Sequence, residues 1–227
     1  MRFFKSFIRK HTTIGFRQSI HKCIYEYRIL RIHRRNLKRG RSYYHPQGLK
    51  LHLGCGRRIK AGWVNIDLFS PSADLHLDLR ESFPFSSGSV DIIYSEHFFE
   101  HLAYPDEVEK FLCDCLRVLK PGGLFSAGVP DAGLWLHNYV KKDEKMFRDA
   151  RERFHPKWCK TWMHQINYLF RQKDEHKYAY DYETIAQVLG DAGFANVKRR
   201  PWDSERDSPG WERALYIDAE KPRLSQP

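Results

Sequence analysis

Two glycines and an acidic residue stand where they could hold a nucleotide-like ligand. Gly54 and Gly56 flank Cys55 directly after a short apolar run, and Asp67 ends the next such run. Glycines let the backbone approach a ligand closely, and an acid at the end of a neighbouring strand can accept both hydroxyl protons of a ribose. Taken alone, the glycines could form a tight turn and Asp67 could be a solvated acid. Together they predict a nucleotide-binding loop.

A second group of polar residues follows the apolar run at 90–94. His97, Glu100 and His101 match the HxxEH pattern of inverted zincins, and two histidines four residues apart on a helix could bind a metal ion. A histidine or a carboxylate at this place could instead take a proton from a bound hydroxyl group. Residue types alone leave both uses open.

Short apolar runs alternate with helical patterns between residues 50 and 222. Seven runs are predicted to be strands: 51–53, 63–66, 75–77, 90–94, 124–129, 197–199 and 215–217. Apolar residues at helical spacing predict a helix from Val108 to Leu119, which the Pro121-Gly122-Gly123 triplet should end, and Asp181 is expected to cap a later helix. The alternation is typical of a parallel sheet in an α/β fold.

Residues 131–180 interrupt the alternation. They hold three tryptophans, four tyrosines and four histidines. We interpret them as a helical, aromatic insertion over the carboxyl edge of the sheet. Aromatic side chains there could form a core or a lid, or they could line a pocket for a sugar or another ring-bearing molecule.

Positive charge is concentrated in residues 1–49. This segment holds 13 Lys and Arg but one acid, Glu26, and so carries +12, whereas the other 178 residues hold 26 basic and 27 acidic groups and carry −1. Two apolar stripes at helical spacing run through it: Phe3, Phe4, Phe7 and Ile8, then Ile20, Cys23, Ile24, Tyr27 and Leu30. Gly40, Pro46 and Gly48 indicate a linker. We therefore predict a basic amphipathic arm and linker at 1–49 and a domain at 50–222.

The cysteine spacing, the length of the apolar runs and the N-terminal charges indicate the cellular compartment of the protein. The five cysteines form no CxxC pair, which disfavours a disulfide framework and fits a reducing compartment. No apolar run reaches the roughly 20 residues that a membrane span needs, and Lys5, Arg9 and Lys10 interrupt any signal-peptide core. We expect a cytoplasmic protein, with an organellar transit peptide as the alternative.

The order of the motifs resembles a known family. The series LxLGCG, NID, DL, SxDIIYSEHxxEHL and LRVLKPGG between residues 51 and 123 is similar to class I S-adenosylmethionine-dependent methyltransferases. It looks most like the small bacterial group of the methyltransferase type 11 family that is often found with polysaccharide-synthesis genes. The resemblance is strong over residues 50–131 and weaker to the final strand. It implies a Rossmann-like sheet of seven strands and S-adenosylmethionine as the cofactor.

The resemblance also implies roles for individual residues. Gly54, Cys55 and Gly56 would line the methionine end of the cofactor, and Asp67 with Leu68 would meet the ribose. Asp78 would lie beside the adenine amino group with Leu79 near the ring, whereas Glu96 and His97 would face the methyl group. The HxxEH stretch is then explained without a metal ion, so we expect none.

The chain departs from the family pattern at the first turn. Arg58 stands where the family has a third glycine, and the short link from Leu53 to Trp63 leaves room for one helical turn at most. Arg57 or Arg58 could supply charge to the cofactor carboxylate in place of a helix N-terminus.

These observations predict the reaction and its alternatives. Transfer to a hydroxyl needs a base, for which His97 is the first candidate, Glu96 the second and Asp131 a third. We expect O-methylation of a sugar, a glycan or another small molecule at the cytoplasmic face of an anionic membrane, which residues 1–40 would contact. The alternatives are an RNA methyltransferase whose arm binds phosphates, and a cofactor-binding module without activity. The oligomeric state is not indicated.

Overall fold

The computed structural model of the protein describes residues 12–43, 48–211 and 213–223. Six α-helices occur in these residues: α1 (Ile14–Arg41), α2 (Asp106–Val118), α3 (Ala132–Lys141), α4 (Glu144–Arg153), α5 (Trp162–Arg171) and α6 (Tyr182–Asp191). The strands are β1 (Leu49–Leu53), β2 (Val64–Ile66), β3 (Val90–Glu96), β4 (Leu119–Val129), β5 (Ala195–Arg200) and β6 (Leu215–Glu220). Two short 3-10 turns span Phe99–His101 and Gln172–Asp174.

The strands form one mixed sheet in the order β2-β1-β3-β4-β6-β5. The first four neighbours are parallel, and β6 runs antiparallel to both β4 and β5. Apolar side chains of the central strands are buried in one core with those of α2 and α6, which explains why these runs are mainly apolar. The predicted α/β sheet is confirmed. It brings the carboxyl ends of β1, β2 and β3 to one edge, where ligands bind in such folds.

The described residues form six strands, so the prediction of seven is wrong. The candidate at 75–77 makes only one bridge, between Ile66 and Leu75, because β2 itself ends at Ile66. The next amides then bond to α1: His76 N donates to Asn36 Oδ1 at 3.3 Å, and Asp78 N donates to His33 Nδ1 at 3.2 Å. Helix α1 thus lies beside residues 76–78 and covers the sheet at its lateral edge, next to β2.

The boundary between α2 and β4 also differs from the prediction. The helix ends at Val118, and the Pro121-Gly122-Gly123 triplet lies inside β4 instead of ending the helix. Leu119 pairs with Val90, and the ladder is irregular until Leu124 pairs with Ile92. The triplet is therefore accommodated as a bulge, which is where proline and glycine occur in strands. Other expectations hold: residues 54–63 form no helix, and Asp181 caps α6 by accepting from Thr184 N at 2.9 Å.

The predicted insertion is helical and aromatic. Helices α3, α4 and α5 pack around a second apolar cluster that contains Trp135, Phe147 and Ile166. The rings of Phe147 and Trp162 stack 4.8 Å apart between α4 and α5. Half of the Phe, Tyr and Trp side chains of residues 131–180 thus belong to this small core, and some aromatic side chains, described below, line a cavity.

The described part of the basic segment contains one long helix, α1, that packs on the sheet domain along one face. Ile29, His33 and Gly40 are buried on that face, with Asn36 between them. The second predicted stripe lies on α1 and is exposed, with Ile20, Ile24 and Tyr27 at 44%, 48% and 60%. The first stripe, at residues 3–8, lies outside the described residues. No helix in the described part of the chain is long and apolar enough to span a membrane.

Candidate functional site

The glycine loop after β1 has a conformation that requires glycine. Gly54 and Gly56 have φ of +66° and +52°, a region that side chains other than glycine rarely adopt. A Cβ at Gly54 would lie 2.6 Å from Cβ of Phe98, so the loop packs directly against the residue after His97. A Cβ at Gly56 would meet no atom within 4 Å, so there is open space beside this backbone. A ligand can approach the chain there.

Asp67 is held at this loop by backbone amides. Its Oδ2 accepts from Gly56 N at 3.0 Å, and its Oδ1 accepts from Phe69 N and Ser70 N at 2.8 and 2.7 Å. The structure therefore brings together the glycines and the acid, and Leu68 lies half-buried beside them. A carboxylate oxygen has two acceptor positions, so Oδ2 can still accept a proton from a ligand hydroxyl.

Cys55 is buried between the two glycines. Burial raises the pKa of its thiol to about 12, so the sulfur stays protonated near neutral pH. A protonated thiol is a poor nucleophile, which argues against redox chemistry at this position. Cys55 therefore fits the role of a small side chain beneath a ligand.

Asp78 has partners of its own. Its carboxylate accepts from Arg80 Nε and Nη2 at 3.0 and 2.8 Å, and Arg80 also pairs with Glu26 of α1 at 2.8 Å. Leu79 is buried in the main core. The family resemblance implies that Asp78 contacts adenine. In the structure, Asp78 instead helps to anchor α1 through Arg80.

Glu96, at the end of β3, accepts three hydrogen bonds. Tyr216 Oη and Ser208 N donate to its Oε1 at 2.7 and 3.1 Å, and Arg58 donates to Oε2 at 3.2 Å. Burial alone would raise its pKa, but the hydrogen bonds from Ser208 and Tyr216 outweigh it and hold the pKa below the usual value. Such a carboxylate is a weak base. Arg58, the departure from the family pattern, instead ties the glycine loop to β3.

His97 is the candidate base with a free nitrogen. Its φ of +53° is rare for a residue with a side chain, and its ring lies 4.1 Å from that of Trp211. Nδ1 is 3.2 Å from Oε1 of Glu100, whereas Nε2 is buried and has no hydrogen-bond partner among the described residues. Donation from Nδ1 to the carboxylate leaves the lone pair on Nε2, which is the arrangement of a general base.

A cavity of about 450 Å³ lies beside His97, between the sheet edge and the insertion. Its lining includes Trp135, Trp211, Arg153 and Asp131. Asp131 caps α3 and accepts from Arg199 at 2.8 Å, so it is less available as a base than His97. We call this space the aromatic cavity. Its wall contains His176, one of the four histidines of residues 131–180 that could line a pocket. It also contains Trp211, which sequence reasoning missed because no motif or regular spacing connects it to His97.

Comparisons with known proteins find matches to part of this chain. Residues 69–127 match the family model described as a methyltransferase domain. The malonyl-(acyl-carrier protein) O-methyltransferase 1 of Coxiella burnetii is 31% identical over 117 residues. That match covers 48% of this chain and 37% of the relative, so the chain spans well under half the length of the relative it matches.

Solved structures of low identity are also similar. One is a phosphoethanolamine N-methyltransferase 2 of Haemonchus contortus with S-adenosylhomocysteine, at 16% identity and a TM-score of 0.47, covering 87% of this chain and 53% of that one. Another is a methyltransferase of Haloferax volcanii with its Trm112 activator, at 17% identity and a TM-score of 0.46, covering 88% and 96%. On the strength of the matched segment and the motifs around it, the resemblance of this chain to S-adenosylmethionine-dependent methyltransferases is confirmed.

Proposed function

We propose that the protein transfers a methyl group from S-adenosylmethionine to a hydroxyl group of a small molecule held in the aromatic cavity. One juxtaposition supports this most directly. Phe98 packs against Gly54 of the glycine loop, and the adjacent His97 lines the cavity. A donor on the loop and an acceptor in the cavity would therefore meet at the same two residues.

The residues of the loop fit the cofactor. The open space beside Gly56 admits a ligand, and Asp67 keeps an acceptor position for a ribose hydroxyl. S-adenosylmethionine, when bound, supplies a methyl carbon on a sulfonium sulfur that departs with the bonding electrons. The protein's part is to align an acceptor oxygen with that carbon. His97 Nε2 takes the hydroxyl proton as the new C–O bond forms.

The acceptor we propose is a sugar or another small polyhydroxy compound. The cavity combines indole rings of Trp135 and Trp211 with charged groups of Asp149, Arg153 and Arg213. Flat aromatic faces can cover the apolar face of a sugar ring, and the charged groups can bond its hydroxyls. Such a mixed lining is typical of small-molecule sites.

The test of this proposal is methyl transfer by the purified chain from labelled S-adenosylmethionine to sugars, sugar nucleotides, lipid-linked glycans and RNA. We expect label in a sugar-containing acceptor. His97→Gln should lower turnover by about 10²–10⁴-fold because the base is lost. The matched control is His137→Gln, which changes an exposed histidine outside the cavity and should keep full turnover. Full turnover in His97→Gln would exclude His97 as the base, and labelling of RNA alone would favour the RNA alternative.

We further propose that α1 holds the protein at the cytoplasmic face of an anionic membrane. The side chains of Ile20, Ile24 and Tyr27 lie on one side of α1 and expose apolar surface there. Glu26, the only acid of the helix, is paired with Arg80. A basic helix with an exposed apolar stripe is suited to a lipid interface.

The prediction is flotation of the protein with phosphatidylglycerol vesicles but not with phosphatidylcholine vesicles. The double variant Ile20→Ser, Ile24→Ser should lose flotation while it keeps every cation. Binding to RNA would instead depend on the cations alone and fall steeply with salt. Undiminished flotation of the serine variant would contradict insertion of the stripe into the membrane.

A further inference from the structure

The structure adds a third side chain to the histidine-rich stretch after β3. Donor atoms of Glu100, His101 and His176 all lie within 4.8 Å of one another. His176 follows α5, and its neighbours fix it there: Lys177 N and Tyr178 N donate to the backbone oxygen of Glu100 at 2.8 and 3.3 Å. Two segments that are far apart in the sequence thus present three possible metal ligands at one point of the cavity wall.

The hydrogen bonds of the two histidines leave the same nitrogen free. Nδ1 of His101 is 3.1 Å from the backbone oxygen of Glu175, and Nδ1 of His176 is 2.6 Å from that of Leu169. A carbonyl oxygen only accepts, so each Nδ1 carries the proton and each Nε2 carries a lone pair. Histidines that bind metals are held in this way, with the other ring nitrogen donating to a carbonyl or carboxylate.

Glu100 supplies a separate observation. Its side chain is 2% exposed, and its Oε2 has no hydrogen-bond partner in the described part of the chain. A buried carboxylate oxygen without a hydrogen-bond partner is costly. A cation at this place would offset that cost.

We propose that Glu100, His101 and His176 bind a divalent first-row transition-metal ion, such as Zn²⁺, at the wall of the aromatic cavity. Two imidazoles and one carboxylate form a donor set that suits these ions, and three protein ligands leave a coordination position for a ligand from the cavity. Two donors at about 2.1 Å from a tetrahedral Zn²⁺ lie roughly 3.4 Å apart. The three groups, whose donor atoms lie within 4.8 Å of one another, therefore need to close by about 1.4 Å at most.

This proposal differs from the expectation drawn from the sequence. The HxxEH pattern suggested His97 and His101 as the ligand pair, but His97 bonds to Glu100 through Nδ1 and stacks on Trp211. The proposed set replaces His97 with His176, which leaves His97 available as a base. The metal site therefore stands independently of the methyl-transfer proposal, although a bound ion would lie next to the same acceptor.

The test is binding of Co²⁺ and Zn²⁺ to the metal-stripped full chain, followed by visible absorption of Co²⁺ and by calorimetry. The variants His101→Asn and His176→Asn retain a nitrogen donor near the position of Nδ1 but lose Nε2. The matched control is His155→Asn, because His155 lines the same cavity and its Nδ1 contacts the backbone oxygen of Ala150, yet it lies outside the cluster.

We expect one ion per chain in the wild type and in His155→Asn, and at least tenfold weaker binding in His101→Asn and His176→Asn. Glu100→Gln, which preserves shape, should weaken binding as well, and circular dichroism verifies that each variant is folded. The proposal is overturned if the wild type binds no stoichiometric metal, or if the folded cluster variants bind as tightly as His155→Asn.

Discussion

At the scale of single residues, the site depends on hydrogen bonds that determine which atoms stay free. Glu100 bonds to Nδ1 of His97 and leaves Nε2 of that ring without a partner. Both carboxylate oxygens of Glu96, in contrast, accept hydrogen bonds from Tyr216, Ser208 and Arg58. The two adjacent candidates for a base therefore differ in availability. The sequence predicted both as candidates, but only the partners of each side chain distinguish them, and those partners are up to 120 residues away.

The burial of His52 should make the stability of the fold depend on pH. His52 lies in β1 beside the glycine loop, its Nδ1 donates to Asn65 Oδ1 at 3.2 Å, and burial lowers its pKa from 6.5 to about 4. Between these values the unfolded chain binds more protons than the folded one, so the stability of the fold decreases as the pH falls through this window.

We predict that His52 alone removes about 2 kcal/mol of unfolding free energy between about pH 7.5 and about pH 5. Urea unfolding measured at several pH values checks this, and His52→Gln should show a correspondingly smaller loss. Equal pH dependence in His52→Gln and the wild type would contradict the assignment of a neutral, buried His52.

At the scale of elements, one face of α1 packs against the folded domain and another face is exposed. The ion pairs of Arg80 with Glu26 and Asp78, and the amides of His76 and Asp78 bonded to Asn36 and His33, join it to the segment after β2. The sequence predicted a basic helix with an apolar stripe. It could not predict the docking face, because the partners are separated by about 40 to 54 residues and follow no regular spacing.

Two glycines of α1 test this docking. A Cβ at Gly40 would clash with Cγ of Pro84, whereas a Cβ at Gly15 would meet nothing within 4 Å. We predict that Gly40→Ala destabilises the packing of α1 by about 1–3 kcal/mol and speeds hydrogen exchange of its backbone amides. Gly15→Ala should instead stabilise the helix by up to about 1 kcal/mol, because alanine favours helix. Equal protection of α1 in the two variants would contradict the docked position.

The sheet shows where sequence patterns succeed and where they do not. Apolar runs and the motif order located β1, β3 and the glycine loop, because these features are local. The strand predicted at 75–77 failed because pairing depends on the neighbour, and β2 is too short to extend the ladder. The Pro121-Gly122-Gly123 triplet was misinterpreted for a related reason, since a bulge in β4 accommodates residues that would otherwise end an element.

At the scale of the whole molecule, the net positive charge and the candidate site lie in different parts of the chain. Residues 1–49 carry +12, whereas the rest of the chain carries −1 and contains the glycine loop and the aromatic cavity. The sheet edge brings the loop and the cavity together through the consecutive residues His97 and Phe98. A methyl donor and its acceptor would thus meet in the nearly neutral domain, while α1 would determine where in the cell the domain works.

Calorimetric titration with S-adenosylmethionine measures whether the site formed by Gly54, Gly56 and Asp67 binds that compound. We predict one site in the wild type and affinity reduced by roughly 10–100-fold in Asp67→Asn, as expected for losing charge-assisted hydrogen bonds to the ribose. Asp91→Asn, at the opposite end of β3, should bind like the wild type. No binding to the wild type, or equal affinity in folded Asp67→Asn and Asp91→Asn, would contradict a cofactor site at the glycine loop.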